Sequence, residues 1–351
     1  MRLDVEDLAR FPAQGGLEIN IDLIKRLSPD SLSVMEFKSE LDVRIAEKML
    51  EHPLLGERLT GTWNLELGRE FHMTDDSGLF KTSSGKGRVP LYEGKMIWQF
   101  DHRLAAARYW VEEKAGVAAV TGTMTRRIKH CLTTHLGQVS REELDVLVSR
   151  VKWDPDCKSY RLAFRDIAAS TNERTLICTV LPPMVFAGNT LNLSIPTRFE
   201  TKDRGCKQVV CSTLQQTLFL CSALNSFVVD WLIRQKVTSH LNMFYVYQVP
   251  VPRSGGEYEA QLALRAAKLI CTTSEFDRLA LDVGLTSHED GVTDESGRAR
   301  LRAEIDGLGA HLYGLTEEEF AHILATFPLV PDPVKVAARN AYRDVAKGLL
   351  Q

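Results

Sequence analysis

The chain has 351 residues, 44% of them hydrophobic and 25% charged, with a formal net charge of −3. That is the balance of a soluble globular protein, long enough for one large or two ordinary domains. No apolar run approaches the roughly 18–20 residues of a membrane span, the amino-terminal MRLDVEDLAR lacks a signal peptide's apolar core, and seven cysteines without a CxxC pair suggest neither a disulfide framework nor a zinc site. The expectation is a cytoplasmic protein with no membrane partner.

The small net charge conceals a segregation. Residues 1–68 carry 8 Lys+Arg against 13 Asp+Glu, residues 69–256 carry 25 against 17, and residues 257–351 carry 10 against 16. A basic middle between acidic ends suits a chain that meets a polyanion with one region only.

In chain order, Ser39 to Leu50 spaces Leu41, Ile45 and Met49 four apart and predicts an amphipathic helix. Upstream, Asp30, Glu36 and Lys38 form a superficial acid-acid-lysine pattern of metal-dependent nucleases, on a spacing tight for two strands and their turn. From Thr62 the period changes to two, with Trp63, Leu65 and Leu67 on one side of a strand. Lys81 to Arg88, KTSSGKGR, reads as a mobile basic loop in which Lys81, Lys86 and Arg88 could close over phosphates; it does not satisfy the P-loop pattern. Val89 to Phe100 predicts a core strand. Residues 104–150 are less legible, apart from a basic cluster at Arg126, Arg127, Lys129 and His130 and a capping box at Ser140 and Glu143.

The centre of the chain is Tyr160 to Pro183, YRLAFRDIAASTNERTLICTVLPP. Tyr160, Leu162 and Phe164 alternate with Arg161, Ala163 and Arg165, as in a half-buried strand. Thr175 to Leu181 is almost continuously apolar, as in a strand buried on both faces. The connection carries Asn172, Glu173 and Arg174, which such a hairpin would display from a rigid base; an ordinary surface hairpin remains the plainer reading. Downstream, Arg198, Lys202, Arg204 and Lys207 around Gly205 form a second basic loop candidate. Leu214 to Ile233 predicts one helix with Leu214, Leu218, Cys221, Leu224, Val228 and Trp231 on its stripe, and Phe244 to Val251 a strand closed by prolines. Ser254-Gly255-Gly256 reads as a domain boundary with Gly255 in or beside an exposed connection. Beyond it come helices at Glu257 to Ile270 and Arg300 to Leu312, a mobile loop at 288–297, a capping box at Thr316 and Glu319, and Pro333 in a first helical turn.

The segments HPLLG at His52–Gly56, REFHMTDDSGLF at Arg69–Phe80, PLYEGKMIWQFDHR at Pro90–Arg103, the central stretch, LNSFVVDWLIRQKV at Leu224–Val237, HLNMFYVYQVPVP at His240–Pro252 and HLYGLTEEEFAHILATFPLV at His311–Val330 occur in one order. Together they resemble the carboxy-terminal specificity region of large bacterial adenine-specific DNA methyltransferases, of the type IIG and type ISP restriction-modification and phage-defence kinds. The resemblance implies an α+β fold: an amino-terminal helical connector over 1–60, an irregular sheet-based target-recognition domain over 61–253 and a helical carboxy-terminal region over 254–351. It implies double-stranded DNA as partner, with Lys81, Lys86, Arg88, Arg165, Asn172, Arg174, Arg198, Lys202 and Arg204 as candidate contacts.

The methyltransferase motifs themselves are missing. No Asn or Asp precedes a proline pair followed by an aromatic, since Pro182-Pro183 follows Leu181 and precedes Met184, and there is no GxGxxG, GxSxG or HExxH. The expectation is no cofactor in this chain, with S-adenosylmethionine and catalysis in a methyltransferase part of the parent enzyme, on the same polypeptide or a separate subunit. Two alternatives are a nuclease using Asp30, Glu36 and Lys38 and a protein-interaction scaffold that does not touch DNA.

Overall fold

The computed structural model describes residues 17–29 and 35–350, and the absences stated below concern these. The fold is α+β, with small sheets in the middle of the chain and helices at its end. In order it runs through α1 (Ile21–Leu27), α2 (Glu40–Leu50), β1 (Leu67–Gly68), β2 (Phe80–Lys81), β3 (Arg88–Tyr92), β4 (Tyr109–Glu112), α3 (Glu113–Leu136) and α4 (Arg141–Arg150). There follow β5 (Arg161–Arg165), β6 (Cys178–Leu181), β7 (Phe186–Ala187), β8 (Leu191–Ser194), β9 (Thr197–Lys202) and β10 (Gly205–Val210). The remainder is helical: α5 (Leu214–Asn225), α6 (Phe227–Arg234), α7 (Met243–Tyr247), α8 (Glu257–Ile270), α9 (Asp277–Asp282), α10 (Glu295–Leu312), α11 (Glu317–Ala325) and α12 (Asp332–Ala346).

Two four-stranded sheets, ordered β1-β8-β5-β6 and β2-β4-β3-β7, stand beside the separate β9–β10 hairpin. The central hairpin forms as its pattern predicts, β5 pairing antiparallel with β6 from Arg161↔Leu181 to Phe164↔Cys178. Its first strand, however, is not half-buried. Arg161 is 1% exposed because Glu70 accepts from its Nη1 at 2.5 Å, and Arg165 packs its guanidinium over Trp98. A charge can face inward here because a partner from elsewhere in the chain meets it. At the end of β5, Asp166 joins three segments, accepting from Arg69 at 2.7 Å and Asn192 at 3.2 Å and bonding His240 at 3.1 Å.

Several helices follow local chemistry directly. Ser39 caps α2 through a reciprocal bond with Asp42, Thr316 and Glu319 close the box that opens α11, and α12 begins with Pro333 in its first turn. Ser140 caps α4 by accepting from the Glu143 amide.

Other expectations are corrected. Residues 197–207 are no loop but the β9–β10 hairpin, turned at Asp203 with φ 52° and in register from Gly205↔Lys202 to Val210↔Thr197. Leu214 to Ile233 is two helices meeting at Ser226 with a bend of 59°. The Ser226 backbone is extended there, and its hydroxyl accepts from the Val229 amide to start the second helix. Phe244 to Val251 opens with α7, started by the Asn242 side chain, before an extended end at Pro250. The expected strand from Thr62 shrinks to Leu67–Gly68, and that from Val89 to Phe100 to Arg88–Tyr92. The stretch 288–297 holds a 3-10 turn at His288–Asp290 and the start of α10.

The main hydrophobic cluster runs from Leu23 to Ala338 and draws in α2, β5, α5, α6, α8, α10 and α11, with smaller clusters around Tyr92 and Phe71. Gly255 is buried between exposed Ser254 and Gly256; a side chain there would meet the Phe219 ring at 2.8 Å, so the close approach requires glycine. No single described helix is long and apolar enough to cross a membrane. The bent α5–α6 pair passes on length and composition, and its residues are almost all buried in the core.

The core also holds His102, 3% exposed, with its Nδ1 2.9 Å from the Tyr92 hydroxyl and its Nε2 without a hydrogen bond. Burial pulls its pKa down to about 4, Arg103 adds to the effect and Glu275 and Asp101 oppose it. Unfolded, the imidazole takes a proton below about 6.5; folded, it does not until about 4. Stability is therefore lost as pH falls through that window. Asp306 acts in the opposite sense, its carboxyl pushed up by burial to about 6, so total stability is a poor readout. The difference between the native chain and His102→Gln isolates the histidine. Between pH 7 and pH 4 it should move by roughly 3 kcal/mol in the variant's favour; a difference independent of pH in denaturant titrations would contradict this.

Candidate nucleic-acid interface

The basic middle of the chain is built around α3. Gly116, Val120, Met124, Ile128 and Leu132 form its buried stripe, against Phe71, Val111 and Phe186. Its opposite face leaves Lys114, Arg126 and His130 exposed. A loop joining β2 to β3 and the β9–β10 hairpin sit at its ends. At the start, the Glu113 amide donates to the Gly87 carbonyl at 2.9 Å, which fixes the turn carrying Lys86. At the end, His135 Nε2 lies 3.0 Å from the Asp203 carbonyl, which holds the β9–β10 turn. At 1.5 Å per residue the two attachment points are separated by about 33 Å, close to one turn of B-form DNA at about 34 Å.

The candidate residues divide by what they touch. Lys86 and Lys202 are exposed and have no side-chain partner among the described residues, while Lys81 lies half-buried at the edge of the same turn as Lys86. Arg204 has 81% of its side chain exposed and a 3.1 Å bond to Glu143 on α4, a pairing worth little in solvent and readily exchanged for a phosphate. Arg88 is bound to Glu112 at 2.7 Å and to the Ser83 carbonyl at 3.1 Å, so it ties its own loop to β4. Arg198 pairs with Glu200 at 2.7 Å, a bond that raises its pKa further. Within the basic cluster on α3, Arg127 pairs with Asp156 at 2.5 Å and Lys129 with Asp145 at 2.6 Å, and Arg126 remains outward.

On the central hairpin, Asn172 is exposed at the tip. Its amide donates to the Ala169 carbonyl at 3.1 Å and its carbonyl accepts from Arg234 at 3.3 Å, so the backbone is held while the side chain is unpartnered. Arg165 donates from Nε to the Ile97 carbonyl at 3.0 Å and is half-buried. Arg174 is corrected outright. It is 5% exposed, pairs through Nε with Asp230 at 2.9 Å, donates to the Asn225 carbonyl and lies 4.0 Å over the Phe227 ring. In this position it holds the hairpin to α6 and does not reach a base.

Sequence reasoning missed Arg103, Arg108 and Lys114, exposed before and within the first turn of α3; the RLAAAR run at 103–108 is the signal that could have found the first two. Of the nuclease pattern, Asp30 lies outside the described residues, and Glu36 and Lys38 are exposed just before α2, in no strand. Among the described residues no group of three or more His, Cys, Asp or Glu could hold a metal ion.

No family model matches the chain, and no curated protein matches it. Among solved structures it is similar to the type IIL restriction-modification enzyme MmeI in complex with DNA, at 12% identity and a TM-score of 0.33, over 79% of this chain and 36% of that one. The chain thus spans about a third of that enzyme's length, and a likeness of this size carries neither fold nor function across.

Proposed function

We propose that this chain is a sequence-specific double-stranded DNA recognition module of an adenine-specific DNA methyltransferase, of a restriction-modification or phage-defence system, whose catalytic part and S-adenosylmethionine site lie outside it. The ordered motifs suggest the family. The observation that carries the DNA reading is the placement of exposed cations, Lys86 at one end of α3 and Lys202 and Arg204 at the other, on a loop and a hairpin whose attachment points lie about one DNA turn apart. The lysines would hold phosphates, and Asn172, on a fixed turn, would meet an adenine edge through its amide.

The test is a binding titration over a range of salt with duplexes of different sequence. Lys86→Ala or Lys202→Ala should weaken all duplexes alike and reduce the magnitude of the log–log salt slope by about 0.9 for each phosphate that is no longer neutralised. Asn172→Ala should leave the slope near its original value and change discrimination at one position by about 1–3 kcal/mol. Slopes unchanged in both lysine variants would remove the loop and the hairpin from the interface.

A further inference from the structure

A cleft of about 880 Å³ opens between α10, α12, the start of α6 and the Glu173–Arg174 end of the central hairpin, within the size range of small-molecule sites. Its walls are apolar at Phe227, Val330, Val334, Ala337 and Ala341, with carboxylates set among them at Glu173, Glu304, Asp306 and Asp344. Of the lining arginines, Arg174 pairs with Asp230 at 2.9 Å, Arg300 stands 3.8 Å from Glu304, which Arg265 also holds at 2.7 Å, and Arg302 has no ion-pair partner among the described residues.

Asp306 is the polar anchor. It is 6% exposed, and Oδ1 accepts from the Phe227 amide at 2.8 Å. Its other oxygen has no hydrogen-bond partner among the described residues, although the residue lines the cleft. That oxygen is not sealed from the cleft, so a donor from outside the chain can reach a carboxylate that is otherwise mostly removed from water. An ammonium supplies three donors and a full charge. Several carboxylates separated by apolar side chains suit several ammonium groups separated by methylenes.

We propose that this cleft binds an aliphatic di- or polyamine, one ammonium on Asp306 and the methylene stretches along Val334, Ala337 and Ala341. The proposal does not depend on DNA binding. Burial raises the Asp306 carboxyl to about 6 against the pull of Arg174 and Arg302, with Asp230 adding to the rise, so amine affinity falls as pH drops below that value while the amine stays charged.

Calorimetric titration of the full chain with spermidine at low salt tests this. Saturable binding is expected, weakened about ten-fold or more by Asp306→Asn, which keeps the acceptor for Phe227 while losing the charge. Ala337→Arg, at an exposed position on α12, should weaken it similarly by placing a cation in the cleft, and it decides the matter where Asp306→Asn does not fold. Glu289→Gln, an exposed acid away from the cleft, should change nothing. Absence of saturable binding, native affinity in a folded Asp306→Asn or Ala337→Arg variant, or equal weakening by Glu289→Gln would overturn the proposal.

Discussion

Arg174→Ala is expected to lower the unfolding free energy by about 3–5 kcal/mol, the usual cost of leaving a buried charge without its partner, and to leave preference among DNA sequences unchanged. Asp230 is 0% exposed, accepts from the Thr175 amide at 3.0 Å and the Leu176 amide at 3.1 Å, and forms an ion pair with Arg174, whose Nε lies 2.9 Å away. Arg234, one turn further along the same helix, has its Nη2 3.8 Å from Asp230 and its guanidinium over Phe327. Removing Arg174 leaves the carboxylate with two amides and one more distant cation. It also vacates the space over Phe227. Lysine should not restore the stability, since it has neither the planar fork that serves Asp230 and the Asn225 carbonyl together nor the flat face that lies on the ring. Paired apolar replacements of Arg174 and Asp230 should cost less than the sum of the two single replacements. Denaturant unfolding measures all of these; a change under 1 kcal/mol for Arg174→Ala would make the pair incidental.

Gly307→Leu should be of similar size, about 3 kcal/mol or more, because the overpacking is against backbone. A Cβ at Gly307 would stand 2.6 Å from the Tyr342 nitrogen and 2.8 Å from the Ala341 carbonyl carbon. No rotamer relieves that clash, so α10 and α12 must separate. Separation would break the stacking of His311 on Tyr342 at 4.1 Å and the bond from the Tyr342 hydroxyl to the Leu315 carbonyl at 2.8 Å. The expected signature is early amide exchange across residues 332–346 with protection retained in β5 and β6. Native-like protection of α12 in the variant would refute the close crossing.

These two residues illustrate what could be read in the sequence and what could not. Helices α2, α8 and α11 were legible because caps and apolar stripes are local. The central hairpin was legible because alternation and a continuous apolar run are local too. Arg174 was misread because it looks like a loop-tip cation until Asp230, on a helix far along the chain, is placed beneath it. Arg161 and Arg165 suggested a solvated face for the same reason, their partners Glu70 and Trp98 being distant in sequence. The break at Ser226 hid inside a stripe that continues across it, although a serine before Phe227 is itself a helix-start signal. Helix α3 carried a stripe spaced every four residues from Gly116 to Leu132 that threonines and glycines diluted. The β9–β10 hairpin hid among its charges, yet Thr197, Phe199 and Thr201 alternate with Arg198, Glu200 and Lys202. Of the candidate contacts, Lys86, Asn172, Lys202 and Arg204 stand exposed, whereas Arg88, Arg165, Arg174 and Arg198 are spent on the protein.

The central claim is that this chain alone recognises double-stranded DNA by sequence. Selection from a random duplex pool with the isolated chain, without S-adenosylmethionine, tests it most directly. One defined sequence should be enriched, bound with a salt slope set by several neutralised phosphates, and the enrichment should disappear at one position in Asn172→Ala. A pool that stays random while the chain is folded, or no retention of duplex at low salt, would contradict it.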